Sequence, residues 1–81
     1  MQHLEQVRTI LGGALGVPTA HFNAASALLG SVPELDSMAV IGVIAALEEH
    51  FGIVIEDDDI SARHFATLGS LTTFVQEKLS P

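Results

Sequence analysis

The amino-acid sequence predicts an all-α fold, a small antiparallel bundle of three main helices plus one short helix, in a single domain over residues 1–81. Apolar residues recur at helical spacing in four segments of the chain. No segment combines the length and the alternation that a convincing strand needs. Four short apolar stripes can be buried only against one another, which favours a bundle.

The first predicted helix covers about residues 2–15. Its apolar stripe consists of Leu4, Val7, Leu11 and Leu15. Gly16 and Pro18 are expected to end it, because glycine accepts the backbone conformation of a helix C-terminus and proline cannot continue a helix. Gly12 and Gly13 weaken the helix, so we interpret them as a position of close helix packing.

A long connection, residues 17–35, follows the first helix. We expect Leu28 and Leu29 in this connection to enter the core. A segment of this length without regular structure is uncommon in a compact domain and is usually functional. It leads directly to Asp36 and Ser37, where the second helix is expected to begin.

The second predicted helix runs from about Ser37 to Phe51 and ends at Gly52. Its core stripe consists of Val40, Val43, Ile44, Leu47 and Phe51. Residues 53–55 are β-like in composition but too few to build a sheet. We interpret them as a loop that packs inward.

The last third of the chain predicts a short helix and a final long one. Three consecutive aspartates, residues 57–59, precede a short helical segment at about residues 60–65, where acids complement the helix dipole. Ser70 is expected to cap the final helix. The apolar stripe of that helix consists of Leu71, Phe74, Val75 and Leu79.

Composition and charge exclude several classes of function. Ten acidic residues against three basic ones give a net charge of −7, so nucleic-acid binding is not expected. The absence of cysteine excludes disulfides, thiolate metal sites and cysteine nucleophiles, and it fits a reducing cytoplasm. The longest apolar runs are too short to span a membrane, and no signal peptide is predicted. We expect a cytoplasmic monomer.

No metal site is predicted. The acidic run at residues 56–59 lacks the alternating ligands, the central glycine and the final glutamate of a calcium loop. The four histidines have no metal-ligand spacing, and we interpret them as surface or boundary residues. They are His3, His21, His50 and His64.

Asp36 and Ser37 have two interpretations. Both residue types are preferred at helix N-termini, so the pair can simply cap the second helix. The pair can also present a hydroxyl for modification, because a helix N-terminus favours an attached phosphate group. No base lies near Ser37 in the sequence, so a separate enzyme would have to modify it.

The second helix also carries an apolar face outside its core stripe. Met38, Ile41 and Ala45 lie on this face, and Glu48 and Glu49 flank it. The face is either ordinary exposed apolar surface or a docking surface with an apolar centre and an acidic edge.

At these residues the chain resembles the acyl carrier proteins. The resemblance lies in LDSM at residues 35–38, in the apolar helix, and in LEEHFG at residues 47–52. FATLGSL at residues 65–71 is similar to the family's segment between its short third helix and its last helix. The family motif is Asp-Ser-Leu, from which Met38 is a volume-conserving departure. The resemblance covers nearly the whole chain and implies the same arrangement of helices.

The resemblance implies a carrier and not an enzyme. Ser37 would bear a 4′-phosphopantetheine arm, transferred from coenzyme A by a phosphopantetheinyl transferase using Mg²⁺, and Asp36 would help engage that enzyme and its metal. The thiol of the arm would hold acyl groups as thioesters for acyl-loading and acyl-transferring enzymes. The recognition residues would be Met38, Ile41, Ala45, Glu48 and Glu49. We also expect the bundle interior to open enough to accept an acyl chain.

One departure indicates a specialised pathway. Fatty-acid carriers usually have acidic residues soon after the serine, where this chain has Ala39 and Gly42. A carrier for polyketide-like, lipid-modifying or polysaccharide-linked synthesis fits better. LLGSVPELDSMAV and FATLGSLTTFV resemble stand-alone carriers encoded with bacterial exopolysaccharide and exosortase systems. The alternative is a small acidic helical interaction module without a prosthetic group, in which Asp36 and Ser37 serve only as a cap.

Overall fold

The computed structural model describes residues 2–56 and 58–80 and confirms the all-helical prediction. Its elements, in chain order, are α1 (Leu4–Leu15), α2 (Ser37–Phe51), a 3₁₀ helix (Ala62–Phe65) and α3 (Leu68–Leu79). Within the described residues, β-type pairing is limited to an isolated antiparallel bridge between Ala27 and Thr67.

Helix α1 differs from its prediction only at its start. It begins at Leu4, because His3 has a left-handed backbone with φ 68° that a right-handed helix cannot include. It ends as predicted at Gly16, which adopts the left-handed conformation with φ 69°. The N–H of Gly16 donates to the carbonyl of Gly12 and completes the C-cap.

The two adjacent glycines of α1 have different surroundings. A Cβ on Gly12 would lie 2.5 Å from the Thr19 hydroxyl oxygen, so this glycine permits a close approach. Thr19 is buried at this point and its hydroxyl donates to the carbonyl of Arg8 at 2.9 Å. A Cβ on Gly13 would meet nothing within 4 Å. The predicted close packing therefore holds for Gly12 and is wrong for Gly13.

The core lies where the three long helices meet. Helix α1 packs against α2 and α3, and the 3₁₀ helix packs against α3. The buried apolar side chains are Val7, Leu11, Leu28, Leu35, Val43, Leu47, Ile55, Phe65, Leu68, Leu71, Phe74 and Val75. Val40, Ile44 and Phe51 of the predicted α2 stripe are partly buried against this core.

The long connection is held by backbone hydrogen bonds to the junction between the 3₁₀ helix and α3. Leu28 N–H donates to the carbonyl of Ala66 at 2.9 Å, and Leu29 N–H donates to that of Phe65 at 3.0 Å. Successive side chains of an extended segment point to opposite sides. Leu28 is therefore fully buried while Leu29 is 43% exposed, and the prediction that both enter the core is wrong for Leu29.

The segment after α2 follows the same rule of alternation. Ile55 is buried and Ile53 packs against the core, whereas Val54 is 66% exposed, so inward packing is wrong for Val54. The carboxylate of Glu48 accepts a hydrogen bond from Ile55 N–H at 2.9 Å. This bond attaches the segment to the last turn of α2.

The acidic run does not begin the short helix. Ser61 precedes the 3₁₀ helix as its N-cap, and no acid lies in its first turn. Asp59 instead pairs with Lys78 of α3 at 2.8 Å. The predicted helix-dipole role is therefore wrong for Asp59, and Asp57 lies outside the described residues.

Helix α3 starts earlier than predicted. Its N-cap is Thr67, and Ser70 is the third residue of the helix, so the prediction that Ser70 caps it is wrong. The two side chains form a reciprocal capping box, in which Thr67 Oγ1 accepts from Ser70 N–H at 3.0 Å and Ser70 Oγ accepts from Thr67 N–H at 3.1 Å. The hydroxyl oxygens of both residues therefore accept backbone hydrogen bonds that hold the start of the helix.

Candidate functional site

The N-terminus of α2 is capped by one member of the Asp36–Ser37 pair. Asp36 is the N-cap, in the extended conformation, and its Oδ1 accepts from Ala39 N–H at 2.8 Å. Ser37 is the first residue inside the helix. A first-turn residue at this position does not need a side-chain hydrogen bond for the cap to form. The capping interpretation therefore accounts for Asp36 and leaves Ser37 unexplained.

The Ser37 side chain is exposed and makes no hydrogen bond to any residue in the described part of the chain. Its hydroxyl is therefore accessible to a large partner. No described histidine or carboxylate accepts its proton, so the hydroxyl is not an activated nucleophile by itself. An enzyme that modified Ser37 would have to supply the base.

The backbone around Ser37 is suited to an attached phosphate. The first N–H groups of an α-helix have no partner within the helix, and the helix dipole places partial positive charge there. The Asp36 carboxylate accepts a hydrogen bond from Ala39 N–H, while the N–H groups of Ser37 and Met38 have no acceptor among the described residues. A phosphate ester on Ser37 would lie beside those donors.

The outward face of α2 is apolar next to this site. Met38 is 76% exposed and Ile41 is 64% exposed, and Ala45 is exposed one turn further on. Of the two predicted flanking acids, Glu49 is exposed, whereas Glu48 is half-buried and bonded to Ile55 N–H. The structure thus brings Met38, Ile41 and Ala45 together on one surface and leaves Glu48 partly engaged inside the chain.

An apolar recess of about 240 Å³ opens near the same end of α2. Val40, three residues after Ser37, lines it together with Leu29, Ile60, Ala62 and Phe65. Sequence reasoning missed this recess. One residue in the sequence could have indicated it. Successive side chains of an extended segment point to opposite sides, so when Leu28 enters the core, Leu29 must point away from it.

Comparison with known proteins shows which family this chain resembles in sequence and structure. The family model described as a phosphopantetheine attachment site matches residues 5–75. The holo acyl carrier protein of Nitrosomonas europaea has 58% sequence identity with this chain, and the alignment covers 100% of both chains with a TM-score of 0.92. The chain belongs to the acyl carrier protein family. It is a carrier that bears covalent 4′-phosphopantetheine, and it is not an enzyme.

A second solved acyl carrier protein has a similar fold. The holo protein of Geobacter metallireducens has 19% sequence identity and a TM-score of 0.78, with 98% of this chain and 87% of that chain covered. At this identity the match concerns the fold alone. The bundle of an acyl carrier protein therefore persists when most of its side chains differ.

Acyl carrier proteins work with a phosphopantetheinyl transferase and with biosynthetic enzymes, and membership of the family extends this to the present chain. No helix within residues 2–56 and 58–80 is both long and apolar enough to cross a membrane.

Proposed function

We propose that Ser37 is the residue that carries the phosphopantetheine group. The observation that carries this proposal is the exposed Ser37 hydroxyl, which lies at the first position of α2 and has no hydrogen-bond partner in the described chain. Asp36 performs the capping, so the hydroxyl can be esterified without loss of the cap. Unpaired N–H groups at the same helix end favour the phosphate that the ester introduces.

Attachment would proceed as a transfer from coenzyme A. Ser37 Oγ forms a bond to the phosphorus that bears the pantetheine, the pyrophosphate bond of coenzyme A breaks, and the nucleotide portion leaves. The serine proton passes to a base of the transferase, because no described residue accepts it. The attached group supplies a thiol, which holds acyl groups as thioesters.

Asp36 has the chemistry to assist this step. Its Oδ1 is bonded to Ala39 N–H, while Oδ2 has no hydrogen-bond partner in the described residues. A carboxylate oxygen is a suitable ligand for the Mg²⁺ of the transferase complex. We therefore assign Asp36 two roles, as the cap of α2 and as a contact for the transferase and its metal ion.

The partner surface would consist of Met38, Ile41, Ala45, Glu48 and Glu49. Exposure of the first three supports this assignment, because an apolar centre is the usual core of a protein interface. Ala39 and Gly42 stand near Ser37 where the fatty-acid carriers usually have acids. Enzymes that use this carrier would then make apolar contacts near Ser37, which supports a specialised pathway over housekeeping fatty-acid synthesis.

The recess beside Val40 would receive the inner part of an acyl chain. Its walls are apolar, and three of its lining residues, Ile60, Ala62 and Phe65, lie in or just before the short 3₁₀ helix. Chemical shifts that move at these residues when an acyl group is loaded would support this use. An acyl chain that leaves them unchanged would contradict it.

We also infer that the chain is a single domain, a monomer and cytoplasmic. One core that draws side chains from all four helices supports a single carrier domain over residues 1–81. The high negative charge supports a monomer, because two copies would repel each other. The absence of cysteine supports a cytoplasmic location.

Intact mass after incubation with coenzyme A, Mg²⁺ and a broad-specificity phosphopantetheinyl transferase tests the assignment of Ser37. We expect one phosphopantetheine on the natural chain and none on Ser37→Ala. Ser61→Ala is the matched control, because Ser61 is also an exposed serine at a helix start. Modification of Ser37→Ala would show that another residue carries the group, and a folded natural chain that no transferase modifies would argue against the proposed function itself.

A further inference from the structure

A second surface feature lies between α1 and α2, away from Ser37. Two adjoining openings of about 400 and 670 Å³ share Ile10 and His50 and together form one groove, which we call the α1–α2 groove. Ala46 lies nine residues after Ser37, so the groove is centred about 13 Å along α2 from the first residue of the helix.

The apolar part of the groove consists of Ile10, Ala14 and Ala46, beside the polar side chains of Gln6, Thr9 and His50. Ile10 and Ala14 of α1 face Ala46 of α2, and Gly13 contributes no side chain at all. A seam between two surface helices is usually covered by long polar side chains whose stems lie along it. Here Gly13, Ala14 and Ala46 have too little side chain to cover the boundary between α1 and α2, which therefore stays open.

Each of the two openings has one glutamate in its lining, Glu5 in the smaller and Glu49 in the larger. Glu5 belongs to α1, and Glu49 belongs to α2 next to His50. Both glutamates are exposed, and among the described residues no lysine or arginine lines either opening. Apolar residues with one glutamate on each helix beside them complement a surface that is apolar along its centre and basic along both edges.

We propose that the α1–α2 groove is a docking site for a basic amphipathic helix of a partner protein. The apolar side of that helix would pack on Ile10, Ala14 and Ala46, and its flanking lysine or arginine side chains would pair with Glu5 and Glu49. Residues 5–14 of α1 span about 13 Å, which accommodates two to three turns of a docked helix.

A second copy of the same chain does not fit this groove. The chain has a net charge of −7 and three basic residues. Of these, Arg8 donates to the carbonyl of Phe22 at 3.0 Å and Lys78 pairs with Asp59 at 2.8 Å. A copy of the chain therefore has no pair of basic edges to place against Glu5 and Glu49.

The groove does not depend on Ser37. A helix seated on residues 5–14 and 46–50 would leave the first turn of α2 exposed. Binding to Ser37→Ala should equal binding to the natural chain, which separates this proposal from the assignment of Ser37.

Gly13 provides a matched pair of variants. A Cβ at this position meets nothing within 4 Å, so both Gly13→Ala and Gly13→Leu fit the helix. Both replacements raise helix propensity by a similar amount. The alanine leaves the groove open, whereas the leucine fills it.

The test uses the full chain labelled with ¹⁵N and a synthetic amphipathic helix of about four turns with leucines on one side and lysines at both edges. We expect saturable amide shifts confined mainly to residues 5–14 and 46–50. Dissociation constants for Gly13→Leu, and for Glu5→Gln combined with Glu49→Gln, should be about tenfold higher than for Gly13→Ala. A peptide with glutamates in place of the lysines should not bind.

Several results would overturn the proposal. They are equal affinity for Gly13→Leu and Gly13→Ala, shifts centred on residues 37–41, binding of the glutamate peptide, and no saturable binding at millimolar peptide. Amide shifts in the groove that change with protein concentration, without peptide, would identify a second copy as the occupant and would also contradict the proposal.

Discussion

Two serines at helix starts, Ser70 in α3 and Ser37 in α2, differ in the hydrogen bonding of their hydroxyls. Ser70 Oγ accepts from Thr67 N–H at 3.1 Å and lies 2.9 Å from the carbonyl oxygens of Thr67 and His64, which share its single proton. Ser37 is exposed, and its hydroxyl has no partner in the described chain. Position at a helix start therefore does not separate a serine that holds local structure from one whose hydroxyl is accessible, whereas the bonding of the hydroxyl does.

The difference between the two serines arises from their neighbours. At α3, Thr67 and Ser70 cap each other, so the hydroxyl oxygens of both residues accept backbone hydrogen bonds. At α2, the cap is the carboxylate of Asp36, which accepts the Ala39 N–H without help from Ser37. A carboxylate at the N-cap also adds a favourable interaction with the helix dipole. An Asp-Ser pair can thus stabilise a helix and keep its serine available for modification.

The two helix starts also differ in packing, and Gly69→Ala should show the largest effect. A Cβ on Gly69 would lie 2.8 Å from the carbonyl oxygen of Ala24, a backbone atom that cannot move alone. We expect the free energy of unfolding to fall by about 1–3 kcal/mol. Urea unfolding followed by circular dichroism measures it.

Gly42→Ala in α2 is the control for Gly69→Ala. A Cβ at Gly42 meets nothing within 4 Å, so the same chemical change should raise stability by up to about 1 kcal/mol through helix propensity. Equal effects of the two replacements would show that the start of α3 is not more closely packed than the face of α2.

Ser70→Ala and Ser37→Ala test the comparison directly. Ser70→Ala removes the acceptor of Thr67 N–H, a half-buried donor, and should lower the free energy of unfolding by about 1–2 kcal/mol. Ser37→Ala removes no hydrogen bond within the described chain and should change it by less than about 0.5 kcal/mol. Thermal unfolding of both variants in parallel measures the difference, and a larger loss for Ser37→Ala would contradict our account.

The bounds of α2 could be predicted because their signals are local. Asp36 begins the helix and Gly52, with φ 67°, ends it, and both positions are recognisable from residue type and the apolar spacing between them. The start of α3 could not be predicted in the same way. Thr67 and Ser70 are both common N-cap residues, and the choice between them depends on the pairing of Thr67 with Ala27, 40 residues away.

The candidate site could be predicted only in part for a similar reason. The Asp36–Ser37 pair and exposed Met38 follow from residue type and helical spacing. The recess beside Val40 requires knowledge of where Leu29 and Phe65 lie relative to α2, and the α1–α2 groove requires the placement of two helices. Contacts between distant segments have no signature in a single sequence, so these features emerge only from the structure.

Asp36 variants should have a smaller effect on stability than those at α3 and a larger one on modification. Asp36→Ala removes the cap of α2 and should cost about 1 kcal/mol of unfolding free energy. Asp36→Asn retains an oxygen that can accept from Ala39 N–H, so its stability should be nearly unchanged. If the charge of Asp36 also engages the transferase, both variants should be modified more slowly, as measured by intact mass over time. Normal modification of Asp36→Asn would restrict Asp36 to capping.

The smallest effect should come from the ion pair between Asp59 and Lys78, whose side chains are 35% and 28% exposed. The hydrogen bond from Lys78, with a second from Glu56 N–H, lowers the pKa of Asp59 from its ordinary value of 3.8. A carboxyl whose pKa is lower in the folded state stabilises the protein above its unfolded pKa and loses that contribution as pH falls through the folded pKa.

The difference in unfolding free energy between the natural chain and Asp59→Asn should therefore be constant from about pH 5 to pH 7 and shrink below about pH 4. Added salt should reduce it, and Lys78→Gln should abolish most of its pH dependence. A difference that stays constant down to about pH 2 would show that Asp59 contributes through contacts other than its charge.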